Sequence, residues 1–179
     1  LDADEFDDLF RQLVDLGVKE VLLTGGELLV RDDWERIARA ACDSFSVGLF
    51  TNAVAVTDAV AARLRRLPLD LIIVSIYGAS QMTYEAVTGV AGSFSRFQSG
   101  LERLRATGRR VVPTAVLLRE NAHEWPEILR QYGSWPGFVW SARVSPRFDG
   151  GKQPTAHRVT DPQLLDILRS ENHRGKKTR

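Results

Sequence analysis

Residues 71–77 read Leu-Ile-Ile-Val-Ser-Ile-Tyr, an apolar, β-branched run broken only by Ser75. Such a run fits a strand with both faces covered, because a half-exposed strand would alternate apolar with polar. Four more short runs of this kind lie at 18–24, 46–51, 110–118 and 138–144. Between them the apolar residues recur at helical spacing. Phe6, Leu9, Phe10 and Leu13 share one helix face, with Asp2 and Glu5 as a capping box and Gly17 as the stop. Asp32 and Glu35 are placed to cap a second helix that turns Trp34, Ile37, Ala38 and Ala41 inward. Thr57 opens a third that ends near Pro68. A short helical stretch near 81–87 and a Gly-rich loop precede a helix from Ser93 to about Gly108. Asn121 is placed to cap a helix carrying Trp125, Ile128, Leu129 and Tyr132, and Thr160 opens the last helix, with Pro162 in its first turn.

Strands alternating with helices imply βαβ units, right-handed crossovers and a parallel sheet, closed toward a barrel or opened into a doubly wound sheet. The length of 179 residues, 44% hydrophobic, suffices for one core. The net charge of +1 asks for neither nucleic acid nor an anionic membrane as partner. No apolar run approaches the roughly 20 residues of a membrane span, and no secretory signal pattern is visible, so a cytoplasmic protein is expected. The single cysteine, Cys42, excludes an intrachain disulfide and reads as a small buried hydrophobe. His123, His157 and His173 are too scattered for a metal site, and no catalytic or metal-binding residue is assigned. Trp125, Trp135 and Trp140 read as core or sheet-edge residues rather than base-stacking platforms.

Parallel α/β folds bind ligands at the carboxyl ends of their strands. Those ends are Thr24-Gly25-Gly26-Glu27, Thr51-Asn52, Ser75-Ile76-Tyr77-Gly78, Arg119-Glu120-Asn121 and Ser145-Pro146-Arg147 with Asp149 nearby. Paired glycines let a ligand approach the backbone, and Glu27 supplies a carboxylate suited to a cationic amine. Ser75 and Asn52 suit a carboxylate or ribose hydroxyls. Each feature also has a plain structural use as turn, cap or salt bridge. Their gathering at successive strand exits is what suggests a small zwitterion carrying a sugar.

These residues resemble the radical S-adenosylmethionine (SAM) enzymes. Thr24-Gly25-Gly26-Glu27 is similar to the family's Gly-Gly-Glu motif, and its spacing to Thr51-Asn52 and to the Ser75 strand also matches. Val74–Gly78, Thr83-Tyr84, Val87-Thr88-Gly89, Gly92-Ser93-Phe94, Arg119-Glu120-Asn121 and Pro146–Gly150 resemble the branch that carries a SPASM extension, whose members modify peptides or act as maturases. The resemblance implies a partial (β/α)6 TIM-like barrel with parallel strands, its first strand missing, over 1–168, and a disordered basic tail over 169–179. It implies SAM contacts by Gly25, Gly26, Glu27, Thr51, Asn52, Ser75 and Arg119, with Arg119 as carboxylate partner. It implies a [4Fe–4S] cluster in the full-length parent that this chain does not ligate, since the family's C-x3-C-x2-C loop is absent and one cysteine cannot replace it. Leu28 stands where the family usually has proline, and Ala53 where it often has glycine. The SPASM cysteines are absent too, and the basic residues beyond Glu171 depart from the family, as a truncation or frameshift would cause. A peptide or protein substrate is implied, together with inactivity of the chain alone, weak SAM binding, and low stability or self-association through an exposed sheet edge. A non-enzymatic partner-binding remnant and an ordinary barrel lyase or aldolase remain alternatives. The last lacks an attractive Schiff-base lysine, Lys19 opening a strand and Lys152 lying in a loop.

Overall fold

The computed structural model describes residues 1–146 and 149–175, with side chains through residue 169. Arg147 and Phe148 of the fifth strand-exit motif, and residues 176–179 of the basic tail, lie outside the described residues. The elements are α1 (Ala3–Asp15), β1 (Glu20–Leu23), α2 (Trp34–Cys42), β2 (Ser46–Thr51), α3 (Asp58–Arg66), β3 (Leu71–Ile76), α4 (Gln81–Thr88), α5 (Ser93–Ala106), β4 (Val111–Val116), α6 (Trp125–Tyr132), β5 (Val139–Ser141) and α7 (Asp161–Gly175). The strand order is β1-β2-β3-β4-β5. The strands run parallel, as the alternation with helices requires. The chain divides into two compact units, Leu1–Ser75 with Gly92–Pro113, and Ile76–Ala91 with Thr114–Arg179.

In the first unit, β1 pairs with β2 from Glu20↔Ser46 to Leu23↔Leu49, and β2 with β3 from Gly48↔Leu71 to Thr51↔Val74. The register puts Leu23, Leu49 and Ile72 in one row, all buried. Trp34, Ile37, Ala38 and Ala41 of α2, Leu64 of α3, and Phe97, Leu101 and Leu104 of α5 are buried as well and supply the helix side of the core. The opposite face carries Leu22, Gly48 and Leu71 in a row. A Cβ on Gly48 would lie 2.8 Å from Leu22 Cδ1 and 3.7 Å from Leu71 Cγ, so the glycine lets those leucines close over the middle strand without the Leu22 side chain shifting. Leu22 remains 47% exposed on edge strand β1.

Several helix ends follow from local sequence. Asp2 accepts from the Glu5 N–H at 2.9 Å while Glu5 accepts from the Asp2 N–H at 2.8 Å, completing the capping box. Thr57 caps α3 through the Val60 N–H. Two caps differ from expectation. α2 begins after Asp33, one residue beyond the expected cap Asp32, and has no side-chain cap, the Asp33 carboxylate being held by the Arg31 guanidinium at 2.7–2.8 Å. Asn121 leaves the following helix uncapped too, since its side chain turns back to the β4 exit. In each case a charged or buried partner outbid a bare helix N–H.

In the second unit, β4 pairs with β5 from Thr114↔Val139 to Val116↔Ser141. β5 covers only 139–141 of the expected 138–144. Trp125 is buried, and its ring meets that of Trp140 edge-on at 5.1 Å. Tyr132 packs on Trp135 at 6.1 Å. All three tryptophans thus serve packing. Cys42 is the last residue of α2 and is half-buried rather than fully buried, and burial pushes its thiol up.

The tightest packing in the first unit is between α5 and the chain after β2. A Cβ on Gly100 would sit 1.9 Å from the Ala53 carbonyl oxygen, a backbone atom that cannot swing away. Ala53 itself is fully buried at φ 61°, a left-handed conformation that costs a non-glycine residue about 1 kcal/mol. Gly100→Ala is expected to destabilise the chain by about 1–3 kcal/mol through overpacking, read as a lowered urea midpoint. Ala53→Gly is expected to raise that midpoint slightly or leave it unchanged, because relief of the left-handed strain offsets the added freedom of the unfolded chain.

Candidate functional site

Glu27 leaves β1 through a short 3₁₀ turn at Leu28–Val30, and its carboxylate bridges to the exit of β2. Its Oε1 accepts from the Thr51 hydroxyl at 2.9 Å and its Oε2 from the Asn52 N–H at 2.8 Å. A third, longer contact of 3.4 Å comes from the Leu29 N–H. Thr51 is buried, and its oxygen in turn accepts from the Ala53 N–H at 3.0 Å. The Asn52 side chain accepts from the Val54 N–H at 2.9 Å, closing an Asx turn. Three residues read from sequence as ligand contacts, Glu27, Thr51 and Asn52, are therefore bonded to one another. Each carboxylate oxygen accepts from at least one of the chain's own donors.

Gly25 and Gly26 precede this clamp and are exposed. Gly25 has φ 122°, which L side chains rarely adopt. A Cβ at either glycine would meet nothing within 4 Å. Their N–H groups make no backbone hydrogen bond among the described residues. The result is a bare, donor-bearing stretch of main chain at the carboxyl end of the sheet. Ser75 lies one residue past the Thr51↔Val74 pair, at the same end. By strand alternation it shares a face with Leu71 and Ile73, opposite to Thr51. It is half-buried, and its hydroxyl has no hydrogen-bond partner among the described residues.

Arg119 belongs to the second unit. Its guanidinium donates to Glu120 at 3.3 Å and is 58% exposed, while its N–H donates to the His157 carbonyl at 2.9 Å. Glu120 also meets His157 Nδ1 at 2.9 Å, and its other oxygen is buried without a partner. Burial pushes the Glu120 carboxyl up. The bonds from His157, the Glu120 backbone and Arg119 outweigh it, and the carboxyl stays below its ordinary value.

Two residues of this unit gained no functional reading from the sequence. Asn121 is fully buried, with its oxygen accepting from the Leu118 N–H at 2.8 Å and its amide donating to the carbonyls of Val116 at 2.9 Å and Tyr77 at 3.1 Å. Glu124 accepts from the N–H groups of Ala79 at 2.8 Å and Ser80 at 3.1 Å and from the Ser80 hydroxyl. Burial raises its carboxyl, but these donors and Thr83 hold it below the ordinary glutamate value. The Asn-x-x-Glu spacing was visible, yet it pointed to a local cap. The actual partners lie about 45 residues upstream.

The bare glycine backbone and the free Ser75 hydroxyl fit a small ligand with a carboxylate, amine and hydroxyls. The same residues do not fit a metal cluster. Among the described residues no group of three Cys, His, Asp or Glu side chains could hold a metal ion. Among them also, no helix is long and apolar enough to cross a membrane.

Residues 1–132 match the family model of the radical SAM superfamily. The chain is 34% identical over 106 residues to an AdoMet-dependent heme synthase of Methanosarcina barkeri, covering 59% of this chain and 30% of that protein. It is 29% identical over 174 residues to the mycofactocin maturase MftC of Mycobacterium tuberculosis, covering 93% of this chain and 44% of the relative. The chain thus spans less than half of the curated relatives it matches. Among solved structures, SuiB of Streptococcus suis superposes with a TM-score of 0.75 at 18% identity, covering 99% of this chain and 40% of that one. This likeness shows the fold, a partial TIM-like α/β barrel of parallel strands. The family model spans most of the chain and includes the Gly25–Glu27 turn, the Thr51-Asn52 exit and Ser75, so the chain belongs to the radical SAM superfamily, with SAM and a [4Fe–4S] cluster as the cofactors that membership implies.

Proposed function

We propose that this chain is the SAM-binding part of a radical SAM enzyme core whose full-length parent modifies a peptide or protein in the cytoplasm. The observation that carries the reading is the exposed Gly25–Gly26 main chain, held open beside the Glu27–Thr51–Asn52 clamp. In this reading the backbone of Thr24–Gly26 faces the methionyl amine and carboxylate of SAM. Glu27, oriented by its bonds to Thr51 and Asn52, keeps acceptor capacity for the methionyl amine, since a carboxylate offers about four acceptor sites. Ser75 offers its free hydroxyl to the ligand's carboxylate or ribose.

Bound SAM and the cluster together supply a 5′-deoxyadenosyl radical in this superfamily. The cluster ligands are not among the described residues of this chain, so no step is assigned to it here. What these residues contribute is orientation of the nucleoside and its amino-acid end. A peptide substrate is supported by the PqqA peptide cyclases, matched over 72–73% of this chain, and by the likeness to SuiB, which binds a precursor peptide. Edge strand β1 has an open side in the sheet, where another strand, from a second copy included, would pair.

Calorimetric titration of the chain with SAM is expected to show weak binding, and complete absence of heat up to millimolar SAM would overturn the reading. Gly26→Val should weaken that binding about tenfold by filling the open space over the backbone. Its thermal midpoint should scarcely change, since nothing lies within 4 Å of the added Cβ. Glu27→Gln is expected to cost about 1.5–3 kcal/mol of stability in urea denaturation, because an amide cannot accept on both sides from the Thr51 hydroxyl and the Asn52 N–H.

A further inference from the structure

The amino ends of the strands, away from the Gly25–Glu27 turn, carry a divided set of charges within the first unit. On the β1–β2 side, α1 ends at Asp15 and α2 is closed by Asp43, both exposed. The two flank a groove of about 530 Å³ between α1 and the end of α2, whose apolar lining is Phe10, Val14 and Ala40. Asp7 and Arg11 also line it, but they are already paired with Arg36 and Asp8. Asp15 and Asp43 have no ion pair among the described residues. Each stands at a helix C-terminus, where the helix dipole disfavours a carboxylate. The last turn of α1 holds no basic residue, and Arg39 in that of α2 is bonded to Glu35. On the β3–β4 side the sign reverses. Arg65 and Arg66 end α3, and Arg109 and Arg110 lead into β4. The Arg109 guanidinium donates to the Arg65 carbonyl at 2.8 Å, and the Arg110 carbonyl accepts from the Ile72 N–H at 2.8 Å. Arg63 and Arg103 face Glu35 and Asp58, whereas these four arginines have no carboxylate partner among the described residues. Beyond burial, the Cys42 thiol is pushed up by Asp43 and Asp70 and down by Arg109 and Arg39, so the acidic and basic sets adjoin there.

We propose that two copies of this chain associate through this end of the sheet, the Asp15–Asp43 groove of each taking Arg65, Arg66, Arg109 and Arg110 of the other. The inference is independent of the SAM-binding reading, because it uses the opposite end of the strands. A surface split into an acidic and a basic half is complementary to itself about a two-fold axis, and such a contact closes at a dimer. Arginine suits the groove: its stem covers apolar surface while its guanidinium meets a carboxylate at the rim. Arg65 and Arg66 have a local use as well, since they complement the dipole of α3. Asp15 and Asp43 have no such use, and a cation from outside is what makes their positions favourable. The net charge of +1 leaves little overall repulsion between copies. Pairing along β1 is a different contact, carried by main-chain hydrogen bonds rather than by charge.

The test is sedimentation velocity of the whole chain across micromolar concentrations, at about 0.05 M and about 0.5 M sodium chloride. A dimer is expected at low salt, with a dissociation constant that rises about tenfold or more at high salt. The double variant Asp15→Lys with Asp43→Lys, and the double variant Arg65→Glu with Arg66→Glu, should each weaken self-association at least about tenfold. An equimolar mixture of the two should dimerise again, because each reversed half then faces its opposite. Circular dichroism checks that both remain folded, as expected for four exposed side chains. Should either fail to fold, Asp15→Asn with Asp43→Asn and Arg65→Gln with Arg66→Gln replace them; these should lose the salt-sensitive dimer, and no loss there counts against the proposal. A chain that stays monomeric at low salt would overturn it. So would a dimer indifferent to salt and to both variants, which would place the contact elsewhere, such as along β1. Failure of the mixture to recover would show that the two halves do not face each other. A monomer that binds an oligoarginine peptide, and loses it in the aspartate variant, would give the groove to a separate basic partner and remove the second copy from it.

Discussion

A single carboxylate ties the first two strand exits together. Glu27 holds the Thr51 hydroxyl and the Asn52 N–H, one on each oxygen, across 24 and 25 residues of sequence. Hydrogen bonds to a charged acceptor are about twice as strong as neutral ones, and this pair is partly shielded from water. The bonds set where β1 ends and where the chain after β2 turns. The same contact leaves Gly25 and Gly26 outside it, so their main chain is exposed at the carboxyl end of the sheet.

The second unit repeats the device. Asn121 and Glu124 sit on the connection after β4 and hold the chain that leaves β3. In both units a polar side chain past one strand satisfies main-chain donors or acceptors past another. Parallel sheets need this, because their strand exits end in loops whose backbone groups have no ladder partner. Apolar packing beneath sets the spacing: Gly48 lets Leu22 and Leu71 close over one face, and Gly100 lets α5 reach the Ala53 carbonyl. The buried left-handed Ala53 stands between these layers, its N–H bonded to Thr51 and its carbonyl against α5. The family's frequent glycine at this point is what that backbone conformation prefers.

Elements with strong periodicity were legible from sequence nearly to the residue. β2 runs Ser46–Thr51 as read, α3 opens after Thr57, and the Asp2–Glu5 capping box forms. Each depends on neighbours within a few positions. Legibility failed where a side chain had two possible partners. Asn121 stood at a helix start and found better partners at the β3 and β4 exits, while α2 starts after Asp33 rather than at the expected Asp32, with Asp33 held by Arg31. β5 is shorter than its apolar run because periodicity marks what is buried, not how long a strand keeps its neighbour.

The sequence by itself determined the alternation of strands and helices, the parallel sense of the sheet and the positions of the strand exits, because these follow from apolar period, glycines and caps within short windows. Only the tertiary structure decided which polar groups at those exits would be consumed by the fold and which left open. That choice depends on donors and acceptors brought together from 24 to 45 residues apart, and a hydrogen bond within reach and shielded from solvent wins over any local alternative.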